Sequence, residues 1–71
     1  VYSEAVLAYN AGDNAKAVTI LSGLIAKNPS VAEFHDLKAL ALKVSGKDAE
    51  AARSYTESIR IRRKLKRPAS E

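Results

Sequence analysis

Seventy-one residues suffice for one domain and exclude a second. With no cysteine and a single histidine, neither a disulfide nor a closed four-ligand metal site is available, so helix packing or support from something larger must hold the chain together. No apolar run approaches the eighteen or so residues of a membrane span, and the net charge of +4 is uneven: residues 1–59 carry six basic and seven acidic side chains, residues 60–71 six basic and one acidic.

Alanine and leucine supply much of the hydrophobic content, with one phenylalanine and no tryptophan, which predicts a core of small side chains at close helix spacing. The chain opens on Val1 and holds no methionine, and so reads as a segment of a longer protein. The lack of cysteine is compatible with the cytosol or with an oxidising compartment.

Four helices are predicted, an all-α fold. The first spans roughly Tyr2 to Ala11, with Tyr2, Ala5, Val6 and Tyr9 on one face, and stops at Gly12-Asp13. A second runs from about Asn14 to Lys27, where Ala17, Val18, Leu21, Leu24 and Ile25 recur at spacings of three and four. Asn28-Pro29 ends it, because proline has no amide to donate and drives its neighbour out of the helical region. Ser30 is expected to cap the third helix reciprocally with Glu33. Phe34, Leu37, Leu40 or Ala41, and Val44 then carry an apolar stripe to Ser45-Gly46. A fourth starts near Asp48, is expected to keep Ala51, Ala52, Tyr55 and Ile59 inward, and continues through Ile61 and Leu65 before Pro68. Linkers this short require sequential helices to pack as antiparallel neighbours. Alanine-rich segments without period-two alternation argue against strands.

The halves echo each other at one constant interval: Gly12 falls on Gly46, Ala15 on Ala49, Ala17 on Ala51, Leu21 on Tyr55 and Ile25 on Ile59, so that AGDNAKAVTILSGLI lies over SGKDAEAARSYTESI. That period, with its helix-turn-helix unit, resembles the tetratricopeptide repeat family, most clearly over Gly12 to Pro29. The resemblance implies hairpins of a right-handed solenoid, with one repeat over about 1–29, a more divergent one over about 30–62, a basic extension of the last helix at 60–67 and a tail at 68–71. Ala17 and Ala51 would let paired helices approach closely, and Leu21 and Tyr55 would fill the space toward the next hairpin. A strict register puts His35 where the family usually has an aromatic, and Phe34 fits only with one residue to spare. Arg63 stands where the first repeat has Pro29, so the final helix is expected to run on as a cap. Two repeats are fewer than such arrays normally need, which points to further sequence upstream or to a supporting partner.

Chemistry is sparse. His35 and Asp36 are the one catalytic-looking pair, but adjacent helix residues do not face each other, and a structural role is the expectation. No enzyme activity, cofactor or metal is expected. Gly23, inside a helix, is open to two readings, close packing against a neighbour or a tolerated cost of roughly 1 kcal/mol relative to alanine. By the resemblance, Tyr2, Tyr9, Asn10, His35, Asp36 and Lys43 on the first helix of each hairpin would line a groove for a peptide or partner helix. For Tyr2 and Tyr9 the alternative is hairpin core. Asp36 would repel a carboxylate, so a neutral or mixed-charge segment is the expected occupant. Arg60, Arg62, Arg63, Lys64, Lys66 and Arg67 form a basic run. It reads as a solvated helix end favoured by the helix dipole, as a contact for an acidic protein, or as a nucleic-acid contact. Self-association through Val6, Val18 or Ile61 is a further expectation. The reading that results is a non-catalytic protein-interaction scaffold or adaptor, with binding to nucleic acid or an anionic surface through the last helix as the alternative.

Overall fold

Two glycines and a proline punctuate the chain into helices. The structure, a computed structural model, describes residues 2–65, apart from the side chain of Leu65. It holds α1 (Tyr2–Asn10), α2 (Asn14–Lys27), α3 (Ala32–Val44) and α4 (Asp48–Leu65), with no strand among the described residues. Successive helices pack antiparallel in chain order; α3 lies between the α1–α2 hairpin and α4, and of the other helices α4 rests on α3 alone.

The two hairpin turns match bond for bond. At the first, the amide of Ala11 donates to the Leu7 carbonyl (2.9 Å), that of Gly12 to Tyr9 (3.0 Å) and that of Asp13 to Ala8 (2.8 Å). At the second, Ser45 donates to Ala41 (3.1 Å), Gly46 to Lys43 (3.0 Å) and Lys47 to Leu42 (2.9 Å), every donor and acceptor displaced by the interval that separates Gly12 from Gly46. The bond opening the next helix recurs too, Ala17 to Asp13 (3.1 Å) and Ala51 to Lys47 (2.9 Å). This closure satisfies the last carbonyls of a helix when the residue after its C-cap is left-handed. Gly12 and Gly46 supply that conformation, with φ of +85° and +83°.

A Cβ at Gly46 would meet no atom within 4 Å, so the backbone alone decides the effect of a side chain there. Gly46→Ala is expected to cost about 1–2 kcal/mol. Gly23 lies in the middle of α2, and a Cβ there also meets open space, so no close neighbour among the described residues explains it. Gly23→Ala is therefore expected to stabilise by about 1 kcal/mol. Urea unfolding of the two variants, followed by circular dichroism, should show midpoints displaced in opposite directions.

Two apolar clusters fill the space between α1, α2 and α3. Ala5, Leu21 and Leu37 form one, with Val6, Tyr9, Ile20, Leu24 and Phe34 against it; Ala8, Ala17 and Ala41 form the other, with Tyr9 and Val18 alongside. The alanines at the crossing bring the helix backbones close, as the composition predicts. Tyr2 stacks obliquely on Phe34, ring centroids 5.6 Å apart, while remaining 37% exposed.

Three expectations need correction. The reciprocal cap at Ser30 does not form. Val31 precedes the first turn of α3 in an extended conformation, and no side chain caps it. The Pro29 carbonyl accepts from His35 Nε2 at 3.1 Å, which holds the Pro29-Ser30 turn over the start of the helix so that the helix begins one residue later than a Ser30 cap requires. The capping side chain is instead Asp13, whose Oδ1 accepts from the Lys16 amide at 3.2 Å at the head of α2.

The inner face of α4 is also rotated. Ala51, Ser54, Ser58 and Ile61 are buried, while Ala52 is exposed, Tyr55 is half-buried and Ile59 is 51% exposed. On α3, Val44 is exposed, and Ala41 rather than Leu40 points inward. Finally, of the three residues expected at a self-association surface, Ile61 is buried within the chain, while Val6 and Val18 are half-buried against its core.

Candidate functional site

The most specific polar arrangement lies where α4 meets α3. There most of the buried residues are small or polar: Ala32, His35 and Ala39 on α3, and Ala51, Ser54 and Ser58 on α4, with Leu42, on the same stripe of α3, and Ile61 of α4 the larger aliphatic side chains. Spacings of three and four put Ser58 and Arg62 one helical turn apart on the same side of α4, opposite Asp36. The Ser58 hydroxyl donates to Asp36 Oδ1, and Arg62 donates through Nη1 to Ser58 Oγ and through Nη2 to Asp36 Oδ2 (2.5 Å). One carboxylate is thus shared by a hydroxyl and a guanidinium, the charge-assisted geometry that fixes orientation most firmly.

The Arg62 guanidinium, donating to Asp36, holds that carboxyl below its ordinary pKa against the opposing effect of partial burial, with the Ser58 hydroxyl adding to the depression. The same pairing raises Arg62. Because the folded-state carboxyl is the stronger acid, its stabilising contribution is complete above the ordinary carboxylate range, near pH 4, and disappears as pH falls through the lowered value. Asp36→Asn keeps an acceptor for Ser58 but removes the charge. It is expected to cost up to about 1 kcal/mol at neutral pH, since the pair is partly solvated. It should also flatten the loss of stability below about pH 4. Thermal melts of both proteins across that range check this.

The predicted groove residues divide. Asn10 and Lys43 are exposed, Tyr2 stands at the surface against Phe34, and Tyr9 is half-buried against both clusters. His35 is only 8% exposed and turned toward Pro29, and Asp36 faces α4. His35 and Asp36 are thereby engaged inside the chain, His35 with the turn before α3 and Asp36 with α4.

The basic run divides as well. Arg62 is engaged with Asp36, and Arg60 Nη2 lies 2.9 Å from Glu57 Oε1, which lowers the Glu57 pKa and raises that of Arg60. Arg63 and Lys64 are exposed, and Lys66 and Arg67 lie outside the described residues. A shallow hollow between the α2–α3 turn and α4 is lined by Pro29, His35, Glu57, Arg60, Ile61 and Lys64. Nothing local in the sequence marks Ser54 and Ser58 as core, or ties Asp36 to a guanidinium on the following helix; their one signal is the small size of the serines at helical spacing.

Among the described residues, no three His, Cys, Asp or Glu side chains cluster as a metal site would require, and no helix is long and apolar enough to cross a membrane. Comparison of the chain with models of known families, with curated proteins and with solved structures finds no match.

Proposed function

We propose that this chain is a non-catalytic protein-interaction module of tetratricopeptide type, serving as scaffold or adaptor within a larger protein or assembly. The observation that carries the reading is the repetition of the hairpin turn at a constant interval, in which backbone bonds, left-handed glycine and buried alanine all recur. Side chains in the repeated interior go to packing. Specificity then falls to what the first helices expose, chiefly Asn10 and Lys43 with the edge of Tyr2. A segment of neutral or mixed charge suits that set, and its binding would depend on shape more than on long-range attraction.

Binding of nucleic acid or another polyanion through α4 is the alternative. Internal pairing of Arg60 and Arg62 weakens it, because within the described part of the basic run it leaves Arg63 and Lys64 outside an ion pair with Glu57 or Asp36. The readings differ in salt dependence: release of counterions makes polyanion binding fall steeply with salt, and groove binding does not share that slope. Affinity capture from cell extract, with and without nuclease and at low and moderate salt, tests this. Protein partners that survive both treatments support the scaffold, and a signal lost to both overturns it in favour of the basic helix.

A further inference from the structure

The turn between α2 and α3 holds a sequence motif that the fold leaves unused. Ser30 and Glu33 do not cap α3, and Ser30 is exposed within the stretch 28–31, the longest non-helical run among the described residues. Ser30 borders the hollow that His35 also lines, and across it stand Arg60 and Lys64, one helical turn apart on α4. Arg60 Nη2 donates to Glu57, but a guanidinium carries further N–H donors, so Arg60 can serve a second anion and keep that pair. Two cations facing one carboxylate leave the hollow net positive.

Three serines have an acidic residue three positions on: Ser30 with Glu33, Ser45 with Asp48 and Ser54 with Glu57. Ser54 is buried, and Ser45 lies at the C-cap of α3, where the helix dipole opposes an anion. Ser30 stands just ahead of the first turn of the same helix, where the dipole favours an anion and no side-chain cap competes for the amides.

We propose that Ser30 is a phosphorylation site for an acidophilic protein kinase, and that Arg60 and Lys64 receive the phosphate in the hollow. Charge patterns around the acceptor set kinase choice, and the exposed Glu33 supplies the carboxylate that such an enzyme reads. In the transfer, Ser30 Oγ bonds to the γ-phosphorus of a nucleoside triphosphate as the bond to the leaving nucleoside diphosphate breaks, and the hydroxyl proton passes to the kinase's base. The product carries a charge of about −1.5 to −2 at neutral pH, with strong acceptor oxygens. Held by Arg60 and Lys64, it ties the α2–α3 turn to α4, which among the helices otherwise rests on α3 alone. It also neutralises part of the basic run, which lowers the charge that α4 offers a polyanion. The inference holds whichever surface binds partners.

Total chemical synthesis supplies the chain with and without phosphate on Ser30, and phosphorus NMR against pH reads the contact. The second phosphate pKa should lie below its ordinary value of about 6, and return to it when Arg60→Gln and Lys64→Gln are introduced together. The phosphorylated chain should also unfold at a higher urea concentration, an increase that the double variant abolishes. All substituted positions are exposed, so circular dichroism should show the fold unchanged. Incubation of the folded wild type with an acidophilic kinase and labelled ATP should place the label on Ser30, identified by peptide mass spectrometry. Glu33→Gln should slow incorporation at least about tenfold. A phosphate that titrates at about 6 with or without the two cations overturns the assigned receptor. Label on Ser45, or none on Ser30, overturns the assigned site.

Discussion

Leu21→Ala is expected to lower the stability of this chain by about 3 kcal/mol, the cost of removing a fully buried leucine and leaving the space partly unfilled. Leu21 is the large aliphatic side chain that joins α2 to both Ala5 of α1 and Leu37 of α3, so no single neighbour can close over the gap. A domain of this length has on the order of 4–10 kcal/mol in total. The loss should therefore appear as a large fall in the urea midpoint and a substantial unfolded population near physiological temperature. An effect under about 1 kcal/mol would mean that Leu21 is not at the centre of the core.

Ala17→Leu and Ala51→Leu are expected to destabilise alike, each by about 1–3 kcal/mol through overpacking. Ala17 is enclosed between Ala8 and Ala41, and Ala51, its counterpart one repeat on, is buried at the corresponding place in the second hairpin. Three added carbons at either site must push paired helices apart or force side chains from their preferred rotamers. Ala52→Leu is the control: that position is exposed, and the larger side chain should leave stability within about 0.5 kcal/mol. Chemical denaturation of the three variants under one set of conditions measures the contrast. A penalty at Ala17 without one at Ala51 would show that the hairpins are not equivalent in packing.

The turns are legible in the sequence because their causes are local. Gly12 and Gly46 take a left-handed conformation that side chains disfavour, and Asn28-Pro29 stops α2 by removing a donor. The antiparallel order follows from the short linkers. Burial on α4 departs from the apolar pattern for a reason that is itself informative. Ala52, Tyr55 and Ile59 continue the pattern that Val18, Leu21 and Ile25 set in α2, but periodicity records which way a residue faces in a repeat, and no described helix follows α4 to cover that face. Ser54 and Ser58, which do go inward, are polar and carry no hydrophobic signal. The pairing of Asp36 with Arg62 depends on how α4 is rotated against α3, and the burial of His35 depends on the path of the Pro29 turn. Neither is fixed by neighbouring residues. The groove assignments rest on the resemblance to a repeat family; of those residues Asn10 and Lys43 are exposed.

Whether the exposed first helices or the basic end of α4 contacts partners is tested most directly by comparing two double variants in the same capture experiment. One carries Asn10→Glu with Lys43→Glu on the first helices; the other carries Arg63→Glu with Lys64→Glu on α4. All four positions are exposed, so both variants should fold as the wild type does. The scaffold account predicts that the first variant loses the salt-resistant protein partners and the second keeps them. Partners kept by the first and lost by the second would contradict it and place the binding surface on the basic helix.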